Sequence, residues 1–132
     1  MTMGFLLLAA LAARADEAPP VPYHGAPLIP YAKSVGEHRF RSPRNFDNTI
    51  EYYHKAVLGK WKVTLEKIVN NAEIRAVHLK NLEPGPWEGV NIYEHKGTTF
   101  LFVVLSDEEL KKLAREQAEK ARKSGRQDGQ NK

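Results

Sequence analysis

The chain of 132 residues contains no cysteine. Without thiols it forms neither disulfides nor thiolate metal sites, and it lacks the cysteine that carries a lipoprotein's lipid. It also lacks a long apolar run, since the longest covers only residues 5–13. Nine residues of helix rise about 14 Å, roughly half of a bilayer's hydrocarbon core. The sequence therefore predicts no membrane span.

Basic charge is concentrated at the end of the chain. Residues 111–132 contain eight Lys and Arg but three acids, and the whole chain has a net charge of +4. The remainder is therefore close to neutral. Because a nucleic-acid-binding domain carries its positive charge on the folded surface, the sequence predicts no nucleic-acid partner.

The apolar run at the N-terminus has the pattern of a signal peptide. It ends in Ala13-Arg14-Ala15, which places small residues at the third and first positions before a cleavage site. We therefore expect residues 1–15 to be a signal peptide and the mature chain to be periplasmic or extracellular. A buried helix start in a cytosolic protein stays open as an alternative, because residues 1–4 contain no Lys or Arg.

The mature chain divides into three parts by composition. Residues 16–36 hold five of the eight prolines, which predicts an extended, proline-rich arm. Residues 37–115 carry the periodic apolar pattern of a folded α+β domain. Residues 116–132 are predicted to be a basic helix end and a disordered tail from Ser124, because no large apolar side chain remains there.

The domain begins with an amphipathic helix. Phe46, Ile50, Tyr53 and Val57 follow one another at helical spacing. Asn45 or Asn48 can cap its start, and Gly59 closes it.

Strands and a second helix follow. Apolar and polar residues alternate over 61–66 and from Val90 onward, and 74–79 is a further apolar segment. Ser106-Asp-Glu-Glu109 is a capping box that opens a C-terminal helix. The predicted fold is α+β: one amphipathic helix packed on a three- to five-stranded, mainly antiparallel sheet, plus the C-terminal helix.

The last hairpin suggests a binding surface. If Lys96-Gly97 is a two-residue turn, Ile92 and Val90 lie on an aliphatic core face opposite Leu101 and Val103. The other face then carries the candidate binding residues, namely Asn91, Tyr93, His95, Phe100 and Phe102. A slip of one residue would exchange the two faces.

Three kinds of cover for this second face stay open. The arm or the C-terminal helix can lie over it, a protein partner or a second copy can bind it, or it can form a small-molecule groove. Strand 98–105 is apolar on both sides and would be an edge in a simple meander. Because such strands rarely lie bare at an edge, we expect something to pair with it or cover it.

No pattern indicates catalysis. The five histidines show no helical i, i+4 pair, and no serine has a nucleophile-elbow context. We therefore predict no catalytic residue, no cofactor and no metal site, and a non-enzymatic binding module.

Two resemblances add expectations. Arg41-Ser-Pro-Arg-Asn-Phe46 together with Trp87-Glu-Gly-Val-Asn-Ile-Tyr-Glu94 resembles small exported bacterial proteins of unassigned function over residues 38–104, which implies export. Residues 48–59 followed by strands are similar in order to the βαβββ module of the vicinal oxygen chelate enzymes, in which His and Glu hold a divalent metal. That resemblance implies a metal-dependent enzyme as the alternative function, with His38, His78 and Glu94 as loose analogues of the ligands.

Overall fold

A computed structural model describes residues 17–71 and 73–130, with the backbone alone for 126–130. The predicted signal peptide lies outside the described residues. In chain order the strands are β1 (Val21–Tyr23), β2 (Ala26–Leu28), β3 (Lys33–Gly36), β4 (Arg39–Arg41), β5 (Val63–Asn70), β6 (Arg75–Asn81), β7 (Trp87–His95) and β8 (Thr98–Leu105). The helices are α1 (Phe46–Ala56), between β4 and β5, and α2 (Asp107–Gln130), after β8. The predicted α+β class is confirmed.

Six strands form the main sheet, in the order β3-β4-β8-β7-β6-β5, and every neighbouring pair is antiparallel. Strands β5 to β8 form a meander of local hairpins. The sheet is wider than the expected three to five strands because β3 and β4 extend it past β8. Since β4 pairs with β8, the expectation that strand 98–105 is not left as a bare edge is confirmed.

Helix α1 begins at the first of the two predicted caps, Asn45. The side chain of Asn45 accepts a hydrogen bond from the backbone N–H of Asn48 at 2.8 Å, which satisfies one of the free donors of the first turn. The buried side of the helix is wider than the predicted stripe. It includes Tyr52 and Thr49, both 0% exposed, whereas Ile50 is only partly buried.

The core lies between one face of the sheet and a layer made of α1 and the β1–β2 hairpin. Alternate residues of the central strands fill it from the sheet side, including Leu79, Val90, Ile92, Leu101 and Val103. The buried side of α1 and residues 26–29 fill the core from the other side. All four residues of 26–29 are buried. The proline-rich segment therefore folds back into an antiparallel hairpin that is part of the core.

One tyrosine fixes this hairpin to α1. The Tyr53 hydroxyl donates to the Pro27 carbonyl at 2.8 Å and accepts from the Ile29 N–H at 3.2 Å. Burial raises the pKa of Tyr53 far above its ordinary value. The neighbouring Tyr52 hydroxyl donates to the Ala18 carbonyl at 2.7 Å, so two tyrosines of α1 hold the segment that precedes β3.

Helix α2 starts at the predicted capping residue and then leaves the core. The Ser106 hydroxyl accepts a hydrogen bond from the Glu109 N–H at 3.1 Å. Leu113 packs against the core, and positions 114–125 are exposed. The backbone is helical through Gln130, past Ser124, where the sequence predicts a disordered tail; residues 131 and 132 lie outside the described residues.

Candidate functional site

The β7–β8 hairpin has the register that the sequence predicts. Lys96 and Gly97 both have positive φ, 50° and 78°, as a tight two-residue turn between twisted strands requires. Tyr93 lies opposite Phe100, and the pairs Asn91–Phe102 and His95–Thr98 flank it. The five candidate residues therefore share one face of the sheet. We call this surface, Asn91, Tyr93, His95, Phe100 and Phe102, the aromatic face.

Burial alternates along β8. Leu101 and Val103 are 0% and 1% exposed, whereas Phe100 and Phe102 are only half-buried. The proline-rich segment packs on the opposite, core face, where the ring of Tyr23 meets that of Phe40 with centroids 4.9 Å apart. Helix α2 reaches the core through Leu113 and is otherwise largely exposed. In the described part of the chain, neither the arm nor α2 covers the aromatic face.

The aromatic rings on this face contact each other across the strands. The rings of Tyr93 and Phe100 stack with centroids 5.5 Å apart and an interplanar angle of 26°. Next to them the Nδ1 atom of His78, on β6, donates a hydrogen bond to the side-chain oxygen of Asn91. The side-chain oxygen of Asn91 is thereby used within the chain. The centre of the face is thus a flat, ordered aromatic patch.

Gly89 makes room for His78. A Cβ atom at position 89 would lie 2.7 Å from both the His78 Nε2 atom and the Leu79 carbonyl oxygen, which is closer than real contacts allow. The imidazole therefore lies over the backbone of β7. The sequence offers no signal for this contact, because residues 78 and 89 meet only through the register of β6 and β7.

Basic side chains border the aromatic patch, and sequence reasoning missed them. Arg39 lies opposite Phe102 and Arg41 opposite Phe100, so both arginines are on the aromatic face. Register places Lys33, opposite Arg41, and Lys80, opposite Gly89, on the same face. The alternation Arg39-Phe40-Arg41 was the available signal, but it marks a strand without showing which strand it joins.

These four cations are free of ion pairs within the described residues. No carboxylate of 17–71 or 73–125 lies within 4.0 Å of Lys33, Arg39, Arg41 or Lys80. The acid that strand register adds to this face is Glu66, opposite His78 on the outer strand β5. The β3–β4 side of the aromatic face, with Lys33, Arg39 and Arg41, therefore carries an excess of positive charge, although the domain as a whole is close to neutral.

The three residues proposed as loose metal-ligand analogues do not converge. His78 lies on the aromatic face, whereas Glu94 lies on the opposite face and accepts two bonds from Arg75, at 3.0 and 3.2 Å. His38 sits at the β3–β4 turn, where its Nδ1 atom is hydrogen-bonded to the Tyr23 hydroxyl at 2.7 Å. Within the described ranges, no three His, Asp or Glu side chains are arranged to hold a metal ion. His38, His78 and Glu94 therefore do not form the chelate-type site that the resemblance implies.

A second polar cluster joins the β1–β2 turn to its neighbours. The rings of His24 and His38 are 6.3 Å apart between centroids, and His24 lies 3.8 Å from a carboxylate oxygen of Glu109 on α2. Burial, reinforced by the charge of Glu37, raises the pKa of the Tyr23 hydroxyl that binds His38. Both histidines have positive φ because each occupies a tight turn. These contacts connect the β1–β2 turn, the β3–β4 turn and the start of α2 on the core side of the sheet.

A cleft borders the aromatic face near the start of α2. It has a volume of about 520 Å³ and is lined mainly by polar and charged residues, among them His78, Lys80, Glu83, Glu88 and Glu108. A narrower cleft of about 230 Å³ lies between α1 and the β5–β6 hairpin, next to Phe46 and Val77. Neither cleft contains the rings of the aromatic face.

Comparisons with known proteins give no match: no family model, no curated protein and no solved structure is similar to this chain. Among the described residues, no helix combines the length and the apolar character that crossing a membrane requires.

Proposed function

We propose that this protein is an exported, non-enzymatic interaction module that binds a protein partner through the aromatic face. The observation that carries the proposal is the partial exposure of that face. Tyr93, Phe100 and Phe102 are half-buried on a sheet surface that no described element covers, while the apolar side chains on the opposite surface of the same strands are buried.

The composition of the face supports binding over a purely structural role. Core packing is already supplied by the other face, so the aromatic rings are not needed to close the fold. Aromatic side chains and arginines are enriched at the centres of protein interfaces, where a few of them carry most of the binding energy. Arg39 and Arg41 stand next to Phe102 and Phe100, which gives this combination on one flat surface.

Export rests on the N-terminal sequence. The apolar run of residues 5–13 and the small residues Ala13 and Ala15 support cleavage by a signal peptidase. N-terminal sequencing of the native protein is expected to start at Asp16. Recovery of the chain with Met1 intact from the cytosol would remove export from the proposal.

Binding can be tested by capture with matched variants. Tagged wild-type protein is incubated with envelope extract and culture fluid, in parallel with Tyr93→Ala/Phe102→Ala and with Val21→Ala/Leu110→Ala. The control pair is also apolar and exposed, at 52% and 43%, but lies on β1 and α2, outside the main sheet. We expect one partner to be recovered by wild type and by the control, and to be lost from the aromatic-face variant. Equal recovery by all three would contradict the proposal.

A further inference from the structure

We propose that the partner presents an acidic segment to the aromatic face, with carboxylates around an apolar centre. This inference rests on the proposed function, since it names the chemistry of the partner for the same surface. It starts from the charges that border the rings.

The charges on the face are unbalanced. Lys33, Arg39 and Arg41 lie together on its β3–β4 side, whereas Lys80 shares a cleft with Glu83, Glu88 and Glu108, and Glu66 lies opposite His78 on the far side. In the described part of the chain none of the four cations has an ion-pair partner within 4.0 Å. Guanidinium groups bind carboxylates through two parallel hydrogen bonds, so two free arginines beside an apolar patch fit a partner that carries Asp and Glu.

The same charges disfavour a second copy of this chain as the partner. In a two-fold dimer the cations of β3 and β4 would meet either the same cations of the other copy or its β5–β6 side, where strand register sets Lys80 beside the acid Glu66. Like charges placed together at an interface are strongly unfavourable. A partner with a different, acidic surface therefore neutralises the arginines better than a second copy does.

The geometry of the rings favours a protein over a nucleic acid or a lipid layer. Single-stranded nucleic acids bind by stacking bases on free ring faces, but Tyr93 and Phe100 already stack on each other. Aromatic anchors of membrane-surface proteins bury their side chains in the lipid boundary, whereas Phe100 and Phe102 are half-buried within a flat sheet. A flat, ordered patch with charged borders fits the surface of another protein.

Photo-crosslinking from inside the face tests this inference. The variant Phe102→p-benzoylphenylalanine is expressed in the producing cells, and the cells are irradiated. The crosslinked product is then identified by mass spectrometry. We expect a peptide from another protein with net negative charge. Its yield should fall about tenfold when Arg39→Glu/Arg41→Glu is added, because two attractive contacts become repulsive.

A charge-matched control distinguishes the effect of charge on the aromatic face from the effect of the net charge of the protein. Lys60→Glu/Lys111→Glu changes the net charge equally at exposed positions off the face and should leave the yield unchanged. Circular dichroism verifies that each variant is folded. A crosslink to an acidic peptide that is lost only in the arginine variant supports the inference.

The other outcomes overturn it in distinguishable ways. A neutral or basic peptide, a second copy of this chain, or a yield that the arginine reversal leaves unchanged refutes the acidic partner but keeps the interaction module. A nucleic acid or lipid adduct refutes a protein partner. Absence of any adduct at position 102 counts against the inference and against the proposed function together.

Discussion

At the scale of single residues, consecutive side chains of β8 lie in different environments, because they point to opposite faces of the sheet. Leu101 is fully buried and Phe102, the next residue, is half-buried on the other side. The sequence predicts this division, because a two-residue turn at Lys96-Gly97 leaves one register. It does not predict that Phe102 lacks a cover within the described chain, since that depends on where the proline-rich segment packs.

Truncation of these two neighbours should therefore have unequal effects on stability. Leu101→Ala leaves a cavity in the core and is expected to lower the free energy of unfolding by about 2–5 kcal/mol. Phe102→Ala is expected to lower it by less than half as much and to leave a cooperative transition. Urea denaturation of both variants measures this. A loss for Phe102→Ala as large as that for Leu101→Ala would show that the face is covered.

Gly89 is constrained by contact with β6. Gly89→Ala is expected to destabilise the protein by about 1–3 kcal/mol, because the added methyl group overlaps the His78 ring and a backbone carbonyl that cannot move freely. Gly36→Ala is the control, since its added Cβ meets only the Cβ of Arg39 at an ordinary 3.7 Å. Thermal melts of the two variants should separate them clearly. Equal melting temperatures would show that β6 and β7 accommodate the added methyl group without loss of stability.

At the scale of elements, helix α1 shows where sequence reasoning reached its limit. Spacing and capping predict a start at Asn45 or Asn48 and a stripe of Phe46, Ile50, Tyr53 and Val57. The structure selects Asn45 as the cap and buries Phe46, Tyr53 and Val57, whereas Ile50 is only partly buried. Tyr52 was outside the stripe but is fully buried. Periodicity identifies the side of a helix that faces a sheet. It does not identify a second side that is covered by a distant hairpin.

The tyrosines of α1 should make the fold sensitive to alkaline pH. Burial, with the nearby charge of Glu17, raises the pKa of Tyr52 from 10.0 to about 12. Because the folded state favours the neutral phenol, its stabilising effect is complete below about pH 10 and is lost as pH rises toward 12. Urea midpoints should fall over that window. Tyr52→Phe should reduce the fall, whereas Tyr31→Phe, at a residue 90% exposed, should follow wild type. A Tyr52→Phe profile parallel to that of wild type would refute the assignment.

Helix α2 should contribute to stability only near its start. Leu113 packs against the core, positions 114–125 are exposed, and the sequence from 116 to 132 offers no large apolar side chain whose burial could offset the entropy of ordering. Truncation after Ser124 is expected to leave the melting temperature unchanged within error. Truncation after Ser106 removes Leu113 and should lower it. A clear drop in melting temperature after truncation at Ser124 would show that the C-terminal segment docks on the domain.

At the scale of the whole molecule, the sequence predicts the class of the fold and the last hairpin but not the strand order. Each hairpin of the β5–β8 meander is local and can be read from alternation and turn residues. The pairing of β4 with β8 joins Phe40 to Leu101, residues far apart in sequence, and no periodic pattern encodes such a neighbour. For the same reason the basic border of the aromatic face was missed, since Arg39 and Arg41 reach it only through this pairing.

The proline-rich segment should be inseparable from the domain. Ala26, Leu28 and Ile29 are 0%, 4% and 1% exposed within the common core, and Tyr53 bonds to the same hairpin. Deletion of residues 16–31 is therefore expected to lower the melting temperature by more than about 10 °C. Calorimetry measures the change. The control is Tyr31→Ala, in the exposed turn after the hairpin. A deletion variant that melts like wild type would make the segment a dispensable arm.

The position of β8 between β4 and β7 also sets the order in which the sheet can be completed. As the chain emerges from the ribosome, β3 and β4 are made early but have no sheet to join until β8 has been synthesised. Strands β5, β6 and β7 can pair locally, while the contact from Phe40 to Leu101 closes a loop of most of the domain. Completion of the six-stranded sheet is therefore delayed until translation has passed Leu105, so the nascent chain stays incompletely folded for most of its synthesis.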